Sequence, residues 1–266
     1  MGLKYELKRA PVAGALFYLL GCGLSPAVAT AAGSACQADR IDETVRIRYV
    51  HDGDTVWLDD GRKVRIIGLN TPELARDETP AEPLAEQARN TLRQQLGPMA
   101  KVGLRYGHEK TDRYGRLLAH LFNTGGDNIS EGLLRKGLAY SLTVPPNLWQ
   151  AECYQRAEQA ARRQQAGLWS AKYRRILDAG RLADSTRGFQ LIRGTVQRIG
   201  HSRSAIWLNF NRRFAVRIVR ADLAYFSGVD FEKLKGKPLE VRGWVQYHKQ
   251  QLRMRIRHPA AMLIQP

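Results

Sequence analysis

The chain has 266 residues, 44% hydrophobic and 25% charged, a balance that excludes general disorder and a polytopic membrane protein. Lys and Arg number 42 against 25 Asp and Glu, a formal net charge of +17, which points to a polyanionic partner such as nucleic acid or an anionic surface. Three cysteines are too few for a disulfide-dense scaffold.

Residues 1–31 read as a signal peptide rather than as part of the fold. Lys4, Lys8 and Arg9 precede an apolar stretch, Ala10–Leu24, and small residues follow, with cleavage expected after Ala29 or Ala31. The apolar run is shorter than the roughly 20 residues of a membrane span. Leu19-Leu20-Gly21-Cys22 loosely resembles a lipoprotein box, so a membrane-anchored form lipidated at Cys22 is the alternative to a periplasmic or secreted one. Export leaves Cys36 and Cys153. Two thiols in an oxidising compartment are expected to pair; two free, buried thiols are the bland alternative.

Residues 45–68 alternate as three strands, with Asp60-Gly61 as a two-residue hairpin turn between the second and third. Leu84, Ala88, Leu92 and Leu96 are four apart, which predicts a helix over 84–96 stopped by Gly97-Pro98. Strands are expected at 101–106 and 116–122. Asn128 caps a short helix ending at Gly137, and Asn147 with Gln150 predicts a capped helix to Gly167. Five short strands plus three helices imply a mainly β fold with helices, built on a small barrel of the OB type. Residues 171–187 lack an apolar period and read as a linker. Residues 188–266 resume alternation as a second small all-β, OB-like domain, which leaves 32–170 as the first domain. No internal repeat is readable at residue level. The second domain holds 15 Lys and Arg against 4 Asp and Glu, so it carries most of the excess charge. It is expected to be separable from the chemistry of the first.

Three clusters in the first domain carry chemistry: Asp52-Gly53-Asp54-Thr55, then Arg65 leading to Asn70-Thr71-Pro72-Glu73, then Asp112-Arg113-Tyr114-Gly115-Arg116. Each alone has a plain structural reading, as a turn, a helix start or a bend. Together they supply what phosphodiester hydrolysis needs. Arg65 and Arg116 suit bidentate phosphate recognition. Asp54 is a hard oxygen ligand for calcium or magnesium. Glu73 is a carboxylate available as general base. His51, His108 and His120 match no metal or nuclease spacing.

With these motifs, Ser130–Ala139 and the ending Gly167-Leu168-Trp169-Ser170, the stretch from about Val45 to Ser170 resembles the staphylococcal nuclease-like, or thermonuclease, family. The resemblance implies a calcium-dependent endonuclease acting on DNA and RNA with little sequence preference, leaving a 3′-phosphate and a 5′-hydroxyl. It places calcium on Asp54 and the Thr71 carbonyl, with Asn70 beside them and Asp52 in the outer shell of the metal. Glu73 would act on the attacking water, Arg65 and Arg116 on the phosphate, and Arg113 and Tyr114 on the nucleotide. Asn70 stands where the familiar pattern has Asp, which lowers the ligand charge and the expected calcium affinity. Glu131 and Arg135 also match family positions, but an i,i+4 pair of opposite charge reads as structural.

The second domain only loosely resembles nucleic-acid-binding OB folds. Its arginines interleave with Phe210, Phe214, Trp244 and Tyr247, so a single-strand contact is expected there; aromatics in the core and solvated charges are the plain alternative. No stable protein partner is implied. The rival readings of the whole chain are a non-catalytic nucleic-acid-binding protein on a nuclease scaffold, and an envelope protein that binds anionic lipid.

Overall fold

The computed structural model describes residues 1–2, 35–97 and 100–264. The expected signal segment, Cys22 included, lies outside the described residues apart from its first two. Gly33–Pro266 forms one compact unit. No helix among the described residues is long and apolar enough to cross a membrane.

The first half contains β1 (Glu43–Val50), β2 (Thr55–Leu58), β3 (Lys63–Ile66), β4 (Gly68–Asn70), α1 (Ala85–Leu96), β5 (Lys101–Thr111), β6 (Leu117–Phe122), α2 (Ile129–Arg135), β7 (Tyr140–Leu142) and α3 (Ala151–Arg163). Strands β1-β2-β3-β6-β5 close into a barrel. All neighbours run antiparallel except β3 and β6. A parallel pair needs a long crossover, and β4, α1 and β5 supply it. Strand alternation fills the interior: Val56, Leu58, Val64 and Ile66 are all buried. Helix α1 adds Ala88, Leu92 and Leu96, which its four-residue spacing places on one face. The short pair β4–β7 lies outside the barrel and sets Asn70 opposite Tyr140.

Two local expectations change. The hairpin at Asp60-Gly61 forms, but Trp57 pairs with Lys63 and the Leu58 N–H bonds to the Arg62 carbonyl at 2.8 Å. Its turn is Asp59-Asp60-Gly61, with only Gly61 at positive φ, +87°. That is the three-residue loop with a left-handed glycine, not a two-residue turn. Asn147 does not cap the last helix, which runs over Ala151–Arg163. Its side-chain amide instead bonds both ways to the Glu109 backbone, at 2.9 and 3.1 Å, and so holds the end of β5. A short polar side chain competes for whichever backbone group is nearest, and here that group is remote in sequence.

Cys36 and Cys153 form a disulfide, with Sγ atoms 2.08 Å apart and a sequence separation of 117. The same entry of the chain is fixed by Glu131, whose buried carboxylate accepts from the Ala35 N–H at 3.2 Å, the Cys36 N–H at 2.9 Å and Arg135 Nε at 2.7 Å. The Glu131–Arg135 pair is therefore structural. Closing so long a loop restricts the unfolded chain, so Cys36→Ser with Cys153→Ser is expected to cost on the order of 2–4 kcal/mol. Urea unfolding of the oxidised parent and the double variant measures it, and equal midpoints would refute it.

The second half contains β8 (Leu177–Asp178), β9 (Gly188–Thr195), β10 (Arg198–His201), β11 (Ala205–Asn209), β12 (Phe214–Val219), β13 (Pro238–His248), β14 (Gln251–Arg255) and β15 (Met262–Ile264). The strand order is β10-β11-β12-β14-β13-β9-β8. Only Val196 and Gln197 separate β9 from β10, so the main path returns to the stretch of chain where it began. With β9 and β10 counted as one interrupted strand, the third and fifth strands, β12 and β14, pair in parallel as β3 and β6 do, and β8 with β9 is a further parallel pair. One pairing scheme thus occurs twice without a readable sequence repeat. The 171–187 stretch does more than link, since β8 pairs with β9 and Ala179 and Leu182 enter the second core.

The two halves share buried contacts. Ala161, Trp169 and Leu191 form a small core of their own, with Tyr140, Ala166, Ile176 and Phe189 packed against it. Beside it, Arg242 Nη1 donates to both carboxylate oxygens of Glu158, at 2.6 and 2.8 Å. Arg162 Nη2 bonds Glu240 at 2.5 Å. Removing residues 188–266 would uncover this core and leave Glu158 without its arginine, so the second domain is not a detachable appendage.

Candidate active site

The β1–β2 turn brings Asp52 and Asp54 to one end of the barrel. Asp52 Oδ1 accepts the Asp54 N–H at 2.9 Å, which folds the turn back on itself. Asp54, buried at 6% exposure, accepts from the Thr71 N–H at 3.0 Å and Thr71 Oγ1 at 3.1 Å. This approach needs a glycine between the aspartates, because a Cβ on Gly53 would lie 2.6 Å from Thr71 Cγ2. The β2–β3 register sets Arg65 opposite Thr55. Arg65 Nη2 then reaches Asp54 Oδ2 at 3.0 Å and Asn70 Oδ1 at 3.2 Å, while its Nη1 donates to the Ile66 carbonyl at 2.9 Å. Asn70 Nδ2 faces the Thr71 carbonyl at 3.4 Å.

The turn before β6 presents Arg116. Asp112 accepts from the Tyr114 and Arg116 N–H groups at 2.9 and 3.0 Å and holds Arg116 Nε at 2.8 Å. Arg113 Nη2 donates to the Tyr114 hydroxyl at 2.5 Å, and the guanidiniums of Arg113 and Arg116 lie 4.8 and 5.6 Å from the Tyr114 ring centre. Tyr114 is 68% exposed and so available to a ligand. Glu73 ends the segment after β4. Its carboxylate feels Asp54, Arg65 and Arg116 electrostatically, so the four lie near one another.

The carboxylates here are under strain as anions. Burial, and then the neighbouring Asp54 charge, push Asp52 up to about 6. Glu73 is also raised, first by lost hydration, then by Asp54 and Glu82. Glu73 still exposes much of its surface, yet enough neighbouring chain surrounds it to disfavour its anion. Carboxylates crowded together in this way suit a hard divalent cation. Among the described residues no three His, Cys, Asp or Glu side chains converge closely enough to hold a metal by themselves. A cation at this end would therefore draw on Asp54 together with the neutral oxygens of Asn70 and Thr71.

One site residue was not anticipated. Glu82 Oε2 accepts the Glu73 N–H at 3.0 Å, and the Glu82 N–H returns a bond to the Glu73 carbonyl at 2.8 Å. This reciprocal clasp fixes the loop that carries the carboxylate, and Glu82 lies in a Pro-rich stretch with no pattern to reveal it. Of His51, His108 and His120, His51 borders the site, its Nε2 4.0 Å from Asp52 Oδ2. His120 is buried, bonds to the Tyr154 hydroxyl at 2.7 Å and is pushed down to about 3 by burial and Arg105, so it is neutral.

A barrel end that combines carboxylates, arginines and an exposed tyrosine has the charges that handling a phosphate ester needs. Residues 63–171 match the family model described as "Staphylococcal nuclease homologue". The chain is 33% identical to a thermonuclease of Staphylococcus hyicus over 52% of this chain and 82% of that protein. It is 34% identical to a thermonuclease of Staphylococcus intermedius over 48% and 76%. An endonuclease of Bacillus subtilis, YncB, is 31% identical over 45% and 58%. The chain belongs to the staphylococcal nuclease family. The family-model match spans Arg65, Asn70, Thr71, Glu73 and Arg116, begins after Asp52 and Asp54, and leaves the second half of the chain unmatched.

Proposed function

We propose that this nuclease is an exported, calcium-dependent endonuclease that cuts DNA and RNA with little sequence preference. The observation that carries the reading is the convergence of Asp54, Arg65, Glu73 and Arg116 on one barrel end. Asp54 and the Thr71 carbonyl would hold calcium, with Asn70 beside them and Asp52 supporting the turn. Bound calcium supplies positive charge at a phosphate oxygen. Glu73 takes a proton from water as its oxygen attacks phosphorus. The bond to the 5′ oxygen breaks and that oxygen takes a proton from solvent water, giving a 5′-hydroxyl and a 3′-phosphate, while Arg65 and Arg116 hold the non-bridging oxygens and their developing charge. Arg113 and Tyr114 would contact the adjoining nucleotide. Contacts confined to phosphate and sugar carry no sequence information, in keeping with broad specificity. The Cys36–Cys153 disulfide supports export, because such bonds persist in oxidising compartments. Hydrolysis of single-stranded DNA and RNA by the full chain with calcium, with magnesium or with EDTA tests the reading. Undiminished cleavage in EDTA would overturn the metal, and none with any divalent ion would overturn the activity.

Asn70 sets a further expectation. Asn70→Asp adds a charge beside the calcium ligands and is expected to tighten calcium about tenfold without substrate, equivalent to ~1.4 kcal/mol. Part of the added charge would be spent on Arg65, which already bonds Asn70 Oδ1. Calorimetry in a Glu73→Gln background measures the difference, and equal affinities would remove Asn70 from the metal's surroundings.

A further inference from the structure

We infer that the second sheet carries its own binding groove for single-stranded nucleic acid, separate from the catalytic end. The inference rests on the nuclease reading only for the identity of the polyanion.

Strand register builds the groove. On β11, β12 and β14, Trp207 pairs with Arg217 and Arg217 with Arg255, in one cross-strand row. Their sequence neighbours Leu208, Val216 and Met254 fill the second core, so this row faces outward. Arg253, two residues before Arg255, shares that face. Trp244 on β13 continues it at 46% exposure, and Tyr247 stands near the rim at 41%. The resulting groove has a volume of about 550 Å³ and is lined by Arg217, Arg242, Arg253, Arg255 and Arg257 as well as these two aromatics, with no acidic residue in its lining.

The cations are only partly neutralised from behind. Arg242 is committed to Glu158, and Arg255 and Arg257 share the buried Asp222, at 2.7 and 3.3 Å. Arg217 and Arg253 instead lie against the Trp207 ring, 5.7 and 5.0 Å from its centre. Arg217 Nε is buried without a hydrogen-bond partner. Buried guanidinium N–H groups are normally satisfied, and no acceptor among the described residues meets this one. Exposed Trp and Tyr faces beside unspent arginines match a polynucleotide with unpaired bases, since bases stack on rings while phosphates meet cations. A duplex hides its base faces, and a lipid surface offers no planar group to Trp244.

The groove also lies close to the catalytic end. Leu142 and Val144 form part of its wall. Leu142 is on β7, two residues from Tyr140, which pairs with Asn70. Two residues of strand span roughly 7 Å. Trp244, Phe189, Tyr140 and Trp169 follow one another in ring contact at 5.1, 5.7 and 5.3 Å, which makes a continuous aromatic path from the groove towards the shared core. A strand cut at the barrel could therefore be held by the groove of the second sheet.

The test uses the full chain with Glu73→Gln, in EDTA, and fluorescence anisotropy of a labelled 20-nucleotide oligo(dT) and of a duplex of equal length. Arg217→Gln with Arg253→Gln is expected to weaken oligo(dT) binding at least ~10-fold and to reduce the log–log salt slope by about 1.4, the value for two single-strand phosphate contacts. Trp244→Ala, a surface change, is expected to weaken oligo(dT) several-fold and the duplex much less. Oligo(dT) affinity unchanged in both variants overturns the groove. Equal losses for duplex and single strand overturn its single-strand character. Binding to phosphatidylglycerol vesicles that these substitutions abolish, with oligo(dT) affinity intact, assigns the face to a membrane and overturns the inference. Cleavage by the chain with intact Glu73 is scored separately: hydrolysis without groove binding leaves the nuclease reading standing, and groove binding without hydrolysis leaves the groove standing.

Discussion

Glu73→Gln is expected to lower hydrolysis of DNA and RNA at least ~10²-fold, with little loss of stability. Glutamine keeps the shape of the side chain but cannot take a proton from water. The loop that carries it should hold, because the clasp with Glu82 uses the backbone N–H and carbonyl of residue 73 and not its carboxylate. Arg65→Ala and Arg116→Ala should each cost ~10²–10³-fold, the scale of losing one preorganised charge from a transition state. The two arginines differ in their secondary effects. Arg65 bonds Asp54, Asn70 and the Ile66 carbonyl, so its loss also loosens the acidic turn and should weaken calcium binding. Arg116 is held mainly by Asp112 at the turn, so its loss should leave calcium affinity unchanged. Arg116→Lys should restore only part of the rate, since an ammonium keeps the charge and loses the planar fork. Initial rates at saturating calcium, with calorimetric calcium affinities, separate these effects. Full activity in Glu73→Gln together with either alanine variant would remove the catalytic assignment.

The barrel was largely legible because its signals are local. Alternation around Val56, Leu58, Val64 and Ile66, the four-residue spacing of Leu84, Ala88, Leu92 and Leu96, and the Asn128 cap all act within a few residues. The site clusters were legible for a related reason, since each is a short turn whose own residues fold it, as Asp52 and Asp112 do by accepting nearby N–H groups. What escaped is non-local. The β4–β7 pair has three residues a side, too few for an alternating pattern, and it is fixed only when Gly68 meets Leu142. Asn147 read as a cap because the partner it prefers, Glu109, lies 38 residues earlier. The pairing scheme common to the barrel and the second sheet was hidden because topology constrains only which positions are apolar, and many sequences satisfy that. The interface was hidden most completely. Glu158, Glu240 and Arg242 look in the sequence like solvated charges on a helix and a strand, and only the packed structure shows them buried against one another.

That interface sets the second large expectation. Arg242→Ala should destabilise the chain by ~3–5 kcal/mol, because it leaves a buried carboxylate without its counter-charge. Glu158 and Arg242 are 3% and 8% exposed. Burial works against the charge on Arg242, yet Glu158 beside it, with Glu240 further off, holds its pKa above the usual arginine value. After the substitution Glu158 keeps the Ser141 N–H and hydroxyl, at 2.9 and 3.2 Å, but the nearest remaining guanidinium nitrogen, Arg162 Nε, is 3.9 Å away. Replacing both members by apolar residues of similar volume, Glu158→Leu with Arg242→Met, should cost much less than the single alanine, since no charge is then stranded. Urea unfolding of the three variants gives the ordering. A cost below ~1 kcal/mol for Arg242→Ala would mean that water reaches Glu158 and that the halves are held by apolar packing alone. The effect should also reach the catalytic end. Ser141 accepts from Arg242 through both its carbonyl and its hydroxyl, each at 3.2 Å, and it pairs with Leu69 in the ladder that sets Tyr140 against Asn70. Arg242→Ala should therefore weaken calcium binding at a temperature where the chain is still folded, although Arg242 lies on the second sheet and none of the proposed calcium ligands does.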